Sequence, residues 1–343
     1  MSSLPSPSIT RVISGEPFIG ITRGDLVESA HSVAACAVDA SGEVILGMGD
    51  VDVPVYLRST AKPFIAAAAL AAGARERFGL SDREIAVMAA SHSGEPFHVA
   101  AVQSILQKIG LPESALQCGV HAPYNAAAAA ALERRGEKPA GVHNNCSGKH
   151  AGILALSLML NADPATYLQP SHPAQRNILA FCARMSDESV EGLPYAVDGC
   201  GIPVYATPLR NAALSFMRLA TLRGIDASDA SALRLVREAM IAYPAYVAGT
   251  GEFDTRLMEV AGGAIACKGG AEGVHGTADL DRGIGLACKV IDGASRARAP
   301  SMLALLKRLH LLSPQQLTEL CDFERPTIYN RAGRAVGTTV VLA

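Results

Sequence analysis

Ser59 and Lys62 stand three residues apart in YLRSTAKPFIAAAAL, at the start of an alanine-rich stretch. On a helix, residues at i and i+3 share a face, so the Lys62 amine can reach the Ser59 hydroxyl. A desolvated lysine gives up its proton, becomes a general base, and turns a neighbouring serine into a nucleophile. The same spacing also suits a lysine that snorkels back to solvent, and Pro63 disfavours helical geometry at Lys62. Lysine is scarce, with 7 against 23 arginines, and Lys62, Lys149 and Lys268 all lie in short stretches containing glycine or serine.

Three further stretches carry reactive side chains. In MAASHSGEPFH, Ser91, His92, Ser93 and Gly94 follow an apolar helix; the plain reading is a helix stop with turn-forming serines. In AIACKGGAEG, Lys268 precedes Gly269-Gly270 at the end of an apolar strand, where backbone can approach a ligand closely. An S-x-x-K followed by a strand-borne K-[TS]-G is the arrangement of serine β-lactamases and penicillin-binding proteins, and here Gly269 replaces the hydroxyl residue. HNNCSGKHAG and VDGCGIPVYATP place Cys146 and Cys200 in glycine-containing loops, with Lys149 and His150 beside the first. Two thiolates and a nitrogen would make a three-ligand Zn²⁺ site, but the spacing fits no zinc finger and free cysteines also serve as small core residues.

These residues need a scaffold. SVAACAVDASGEVILGMGD reads as a hairpin, with Ser32 to Val38 and Glu43 to Gly47 flanking the turn Asp39-Ala40-Ser41-Gly42. The middle reads as helical: a helix capped by Ser81, others ending at Gly110 and Gly136, then 150–160, 173–186, 206–222, 229–242 and 252–262. GGAIACKGG and RGIGLACKVID read as strands, followed by helices near 300–311 and 313–322 and a closing hairpin around Arg331-Ala332-Gly333. The pattern predicts an α/β protein of the α+β kind: one antiparallel sheet from both chain ends, with helices packed on it. No linker or repeat divides residues 1–343, so one unit with a sheet lobe and a helical lobe is expected.

Composition excludes other classes. The 343 residues are 49% hydrophobic and 18% charged with a formal net charge of −2, and no basic stripe suits a nucleic-acid binder. Apolar runs stop well short of the roughly 20 residues that span a bilayer. MSSLPSPSITRVISGEP has no basic segment leading into an apolar core, and 8 cysteines without such a signal read as reduced thiols of a cytoplasmic protein.

Taken together, RSTAKP, ASHSGE, HNNCSGKHAG, DGCGIPVYATPL and CKGGAEGV resemble the rhizobial-type (class 3) L-asparaginases, the asparaginase II family, along nearly the whole chain. The resemblance implies a serine β-lactamase- or glutaminase-like fold, a homodimer, and hydrolysis of L-asparagine to L-aspartate and ammonia. It implies two Ser–Lys tandems, Ser59 with Lys62 and Ser91 with Lys268, and a zinc site of Cys146, Lys149 and Cys200 with Asp198 close by among the substrate-binding residues. Lys149 would bind metal as the neutral amine. The expected chemistry is attack by Ser59 on the carboxamide carbon, with Lys62 as base, an acyl-enzyme, and backbone N–H groups near Ser59 as oxyanion hole. Zinc then orients substrate instead of activating water, and Arg58 is the candidate for gripping the α-carboxylate. Two competitors keep part of the pattern: another serine amidohydrolase of the β-lactamase/glutaminase type, and a zinc-stabilised module with no catalysis.

Overall fold

LVESAHSVAACAV ends in an unbroken apolar run, Val33 to Val38, and this segment forms a 13-residue strand buried along its second half. The computed structural model describes residues 12–342; residues 1–11, where the sequence shows no signal, lie outside them. The strands are β1 (Glu16–Arg23), β2 (Leu26–Val38), β3 (Val44–Met48), β4 (Pro54–Tyr56), β5 (Tyr195–Val197), β6 (Pro203–Pro208), β7 (Ile265–Gly269), β8 (Val274–Asp279), β9 (Ile284–Val290), β10 (Thr327–Tyr329) and β11 (Ala335–Val341). The main sheet has eight strands in the order β10-β11-β1-β2-β9-β8-β7, with β3 pairing β2 as well. Its pairings are antiparallel, including β2 with β9 in the register Val33↔Val290 to Val38↔Gly285. Both chain ends therefore build one sheet, as the sequence predicts. A second sheet, β4-β6-β5, is small.

Adjacent strand residues point to opposite faces, and β8 shows which helix covers each. A Cβ on Gly276 would strike the Phe216 ring of helix Leu209–Thr221. The next residue, Thr277, turns the other way to Met302 of helix Ser295–Arg308, 3.4 Å from its sulfur. The sheet is thus sandwiched between these two helices.

The helical lobe packs around KPFIAAAALA, Lys62–Ala71, buried from Lys62 to Leu70. Alanine side chains let neighbouring helices approach closely, and Ser147–Met159, Pro173–Ser186 and Ala227–Ala242 all pack against this one. Gly148 is needed for the same reason, since a Cβ there would run into the Val87 carbonyl of helix Asp82–Met88. Among the described residues no helix is long and apolar enough to cross a membrane.

Several local readings hold: Ser81 forms a capping box with Glu84, and Gly110 and Gly136 close their helices with φ of 73° and 66°. Others shift. Ser59 lies in a 3₁₀ turn, Arg58–Ala61, and the α-helix begins only at Lys62. The expected helix at 206–222 starts at Leu209, because aromatic and β-branched PVYAT makes β6 first. Strand β8 escapes the pattern because Gly276 interrupts it.

Candidate active site

Ser59 follows a residue in an uncommon backbone state. Arg58 has φ of 50°, left-handed for a residue with a side chain, which costs on the order of 1–3 kcal/mol. An ion pair anchors it, with Arg58 Nε donating to Asp198 Oδ1 at 2.9 Å. The two residues expected to touch substrate are therefore bonded to each other, and neither lines the cavity that Ser59 lines.

Lys62 opens its helix and is 1% exposed. Its Nζ lies 2.6 Å from the Ala90 carbonyl, 2.9 Å from Ser91 Oγ and 3.4 Å from the Asn145 carbonyl. Carbonyls only accept, so in the neutral amine two N–H bonds point to them and the lone pair is left for the Ser91 hydroxyl proton. Burial, aided by the Lys149 charge and opposed by the Cys146 thiolate, pulls this amine below its ordinary value. The spacing placed Lys62 with Ser59; its hydrogen bond goes to Ser91.

Ser91 is held in an extended segment, not a turn. Helix Asp82–Met88 ends before it, Ser91 N donates to the Val247 carbonyl at 2.9 Å, and His92 N donates to the Asn145 carbonyl at 3.2 Å. His92 is an internal brace: Nδ1 accepts from Gly94 N at 3.2 Å, which leaves Nε2–H for Ser147 Oγ at 2.8 Å. Burial and the nearby His98 and Lys62 keep its ring neutral.

Lys268 enters from β7, 1% exposed, donating to the Gly269 carbonyl at 2.7 Å. Its other neighbour is the Asp254 carboxylate, 3.7 Å away. Asp254 is itself fixed by Gly269 N at 2.6 Å and His275 Nε2 at 3.1 Å. Burial lowers the Lys268 pKa to about 8 against the opposing Asp254 charge, with Lys62 and Arg298 adding to the decrease.

The two glycines after Lys268 are there for space. A Cβ on Gly269 would collide with the Arg298 guanidinium. One on Gly270 would press on the Leu57 carbonyl at 3.2 Å and Ser59 N at 3.3 Å. The departure from K-[TS]-G at position 269 thus has a cause: an arginine occupies the room a side chain would take.

Ser59, Ser91 and Lys268 line one cavity of about 580 Å³, together with Ser93, Tyr124, Asn145, Glu252, Asp254, Ser295 and Arg298. Lys62 lies behind this wall, joined to it through Ser91. A larger groove of about 870 Å³, lined by none of these residues, lies against β11 and the C-terminal half of helix Ser295–Arg308. Sequence reasoning missed Asn145, Asp254, Glu252 and Arg298. Asn145 sat inside a quoted motif, whereas the other three have no spacing to Ser59 that would mark them.

The expected metal ligands also converge. Lys149 Nζ donates to Cys200 Sγ at 2.8 Å, and Cys200 Sγ lies 3.7 Å from Asp198 Oδ2. Cys146, Lys149 and Cys200 are 6%, 2% and 6% exposed. A hydrogen bond from Cys200 and the charges of Lys149 and Lys62 hold the Cys146 thiol well below the usual range, while the same hydrogen bond and burial push Cys200 up. Burial opposes the charge on Lys149, yet the thiols keep its amine raised. This buried set of soft donors fits Zn²⁺, provided that Lys149 sheds its proton on binding. His150 points elsewhere, with Nδ1 2.7 Å from the Tyr167 hydroxyl. None of the three expected ligands lines the cavity, but Asn145, next to Cys146, does.

The family model for L-asparaginase II matches residues 19–341. No curated protein matches the chain. Among solved structures, Mglu shares 18% identity over 81% of this chain and 67% of its own, with a TM-score of 0.37. In a second Mglu structure the shared part is 63% of that chain. A β-lactamase from Mycobacterium bovis shares 11% identity over 82% of this chain and 95% of its own, with a TM-score of 0.43. Likenesses this loose carry no argument about activity. The family match is of another order, for it spans nearly the whole chain. On that ground the chain is an amidohydrolase and belongs to the L-asparaginase II family.

Proposed function

We propose that the protein hydrolyses the side-chain amide of L-asparagine to L-aspartate and ammonia, through an acyl-enzyme on serine. The observation that carries this is the meeting of Ser59, Ser91 and Lys268 at one cavity, with buried Lys62 bonded to Ser91 from behind. Ser59 Oγ attacks the carboxamide carbon. Its proton passes by way of Ser91 to the Lys62 lone pair, and the tetrahedral adduct expels ammonia, which takes a proton as it leaves. Water then attacks the ester carbon, with neutral Lys268 accepting its proton; the second adduct breaks its bond to Ser59 Oγ, which takes that proton back from Lys268, and L-aspartate is released. Strain at Arg58 supports the assignment of Ser59, because left-handed backbone held by an ion pair fixes the turn that presents its hydroxyl.

A second reading makes Ser91 the nucleophile, favoured by its direct 2.9 Å bond to Lys62. Zinc, if held by Cys146, Lys149 and Cys200, supplies positive charge that polarises or orients a substrate carbonyl. The chain's own part there is to keep Asn145 and Asp198 in register with Cys146 and Cys200. The family also carries the proposals of a homodimer and of action in the cytoplasm.

The deciding assay is ammonia release from L-asparagine and L-glutamine, with and without added Zn²⁺, beside hydrolysis of a chromogenic cephalosporin. Release from L-asparagine is expected, and turnover of the cephalosporin alone would sink the reading. Peptide mapping after treatment with a diazoketone amino-acid analogue separates the serines, with the label expected on Ser59.

A further inference from the structure

Arg298 stands at the cavity wall without a hydrogen-bonded partner among the described residues. Among the described residues its guanidinium makes no ion pair, and its Nε is buried without a hydrogen-bond partner. Its Nη groups donate to no side chain or carbonyl of the described residues either, and Arg298 lines the cavity, so the outer edge of the fork is free to take a partner from outside the chain. The guanidinium is held in place by Gly269, whose missing side chain gives it room, while the next residue, Gly270, packs against the backbone of Ser59. Neighbouring residues of one strand end thus set the arginine and the candidate nucleophile side by side along the cavity. Glu252 lines the same cavity. A fork of N–H donors and a separate carboxylate match the two charges of an amino-acid head group.

We propose that Arg298 binds the α-carboxylate of the substrate and Glu252 its α-ammonium, which makes the site selective for free α-amino acids bearing a side-chain amide. This deepens the proposed function and rests on it for the reaction, though not for the binding. Arg58, committed to Asp198, has no such freedom.

The test compares L-asparagine with 3-aminopropanamide, which is asparagine without its α-carboxylate. In Arg298→Met the ratio of kcat/KM for asparagine to that for the analogue is expected to fall at least about 30-fold, with the loss mainly in KM. Gly269→Ala, which displaces the guanidinium by steric contact, is expected to lower the same ratio and serves if Arg298→Met does not fold. Equal losses on both substrates, or no change in the ratio for a folded variant, would overturn the proposal. Calorimetric binding of L-aspartate to the wild type, lost in Arg298→Met, supports the carboxylate site even where no ammonia is released. In that outcome the reaction fails and the binding site stands. Undiminished L-aspartate binding by Arg298→Met overturns it.

Discussion

Lys268 carries its charge at the edge of the range where an enzyme works, and the balance around it can be tipped. Burial depresses its pKa to about 8, and Asp254 is the group that resists. With the neutral amine as the working form, kcat/KM is expected to rise through about pH 8 and level above it. Asp254→Asn removes the negative charge, so the limb should move to lower pH; a pH–rate profile that stays put would disconnect Lys268 from the rate. On the proposed zinc site, Cys200→Ser exchanges a soft donor for a weak one, and the variant is expected to take up less added Zn²⁺ than the wild type, read by metal analysis, with KM rising more than kcat falls. At this scale the sequence was informative where chemistry is local. Ser59, Lys62, Ser91 and Lys268 were marked by motifs, whereas Arg298 and Asp254 reach the cavity only through the fold, from distant segments.

Helices and strands place these side chains by how closely their backbones approach. Gly148 lets helix Ser147–Met159, which starts beside Cys146, lie against the Val87 carbonyl one helix away. Gly148→Ala is expected to destabilise the fold by about 2 kcal/mol or more, the upper part of the overpacking range, because backbone cannot step aside as a side chain can. Urea denaturation checks it, and a change under about 0.5 kcal/mol would show the helices to be looser than they are drawn. Element type was legible from periodicity and caps, as Ser81 and Gly110 show. Pairing was legible only within hairpins: PTIYNRAGRAVGTTVVLA reads as the β10–β11 hairpin, but nothing in it says that β11 also pairs with β1. The Lys62–Ser91 bond was hidden likewise, since it depends on how far the segment after Met88 runs before the next helix.

For the whole molecule, the buried thiols decide how alkaline the working range can become. Burial holds Cys36 and Cys118 at about 11 and Cys182 and Cys288 at about 12, and raises Cys267 well above its ordinary value. In the unfolded chain these thiols ionise near 8.5, so each contributes stability below that pH and loses up to about 1.4 kcal/mol per pH unit as pH rises toward its folded value. Lys62, Lys268 and Lys289 run the other way, because burial lowers their pKa and the unfolded state holds more protons than the folded one above about pH 8. Five thiols outweigh three lysines. Thermal melts under reducing conditions are therefore expected to show a lower Tm at pH 10 than at pH 7.5, while the initial rate still climbs between pH 7 and 8.5. A Tm that rises over this span would mean the thiols are solvated.

Because both ends of the chain feed one sheet, the ribosome imposes a delay on it. β2 ends at Val38 and its partner β9 begins at Ile284, so roughly 245 residues must be polymerised before the two can meet. At about 5–20 residues per second that is roughly 12–50 s, during which the apolar edge of β2 waits in the cell without its neighbour. β1 waits longer still, for β11. The helical middle, complete earlier, can collapse first and hold the nascent strands apart from other chains. Synonymous codons that slow translation beyond Val260 would lengthen the exposure and should lower the soluble yield without altering a single residue of the finished enzyme.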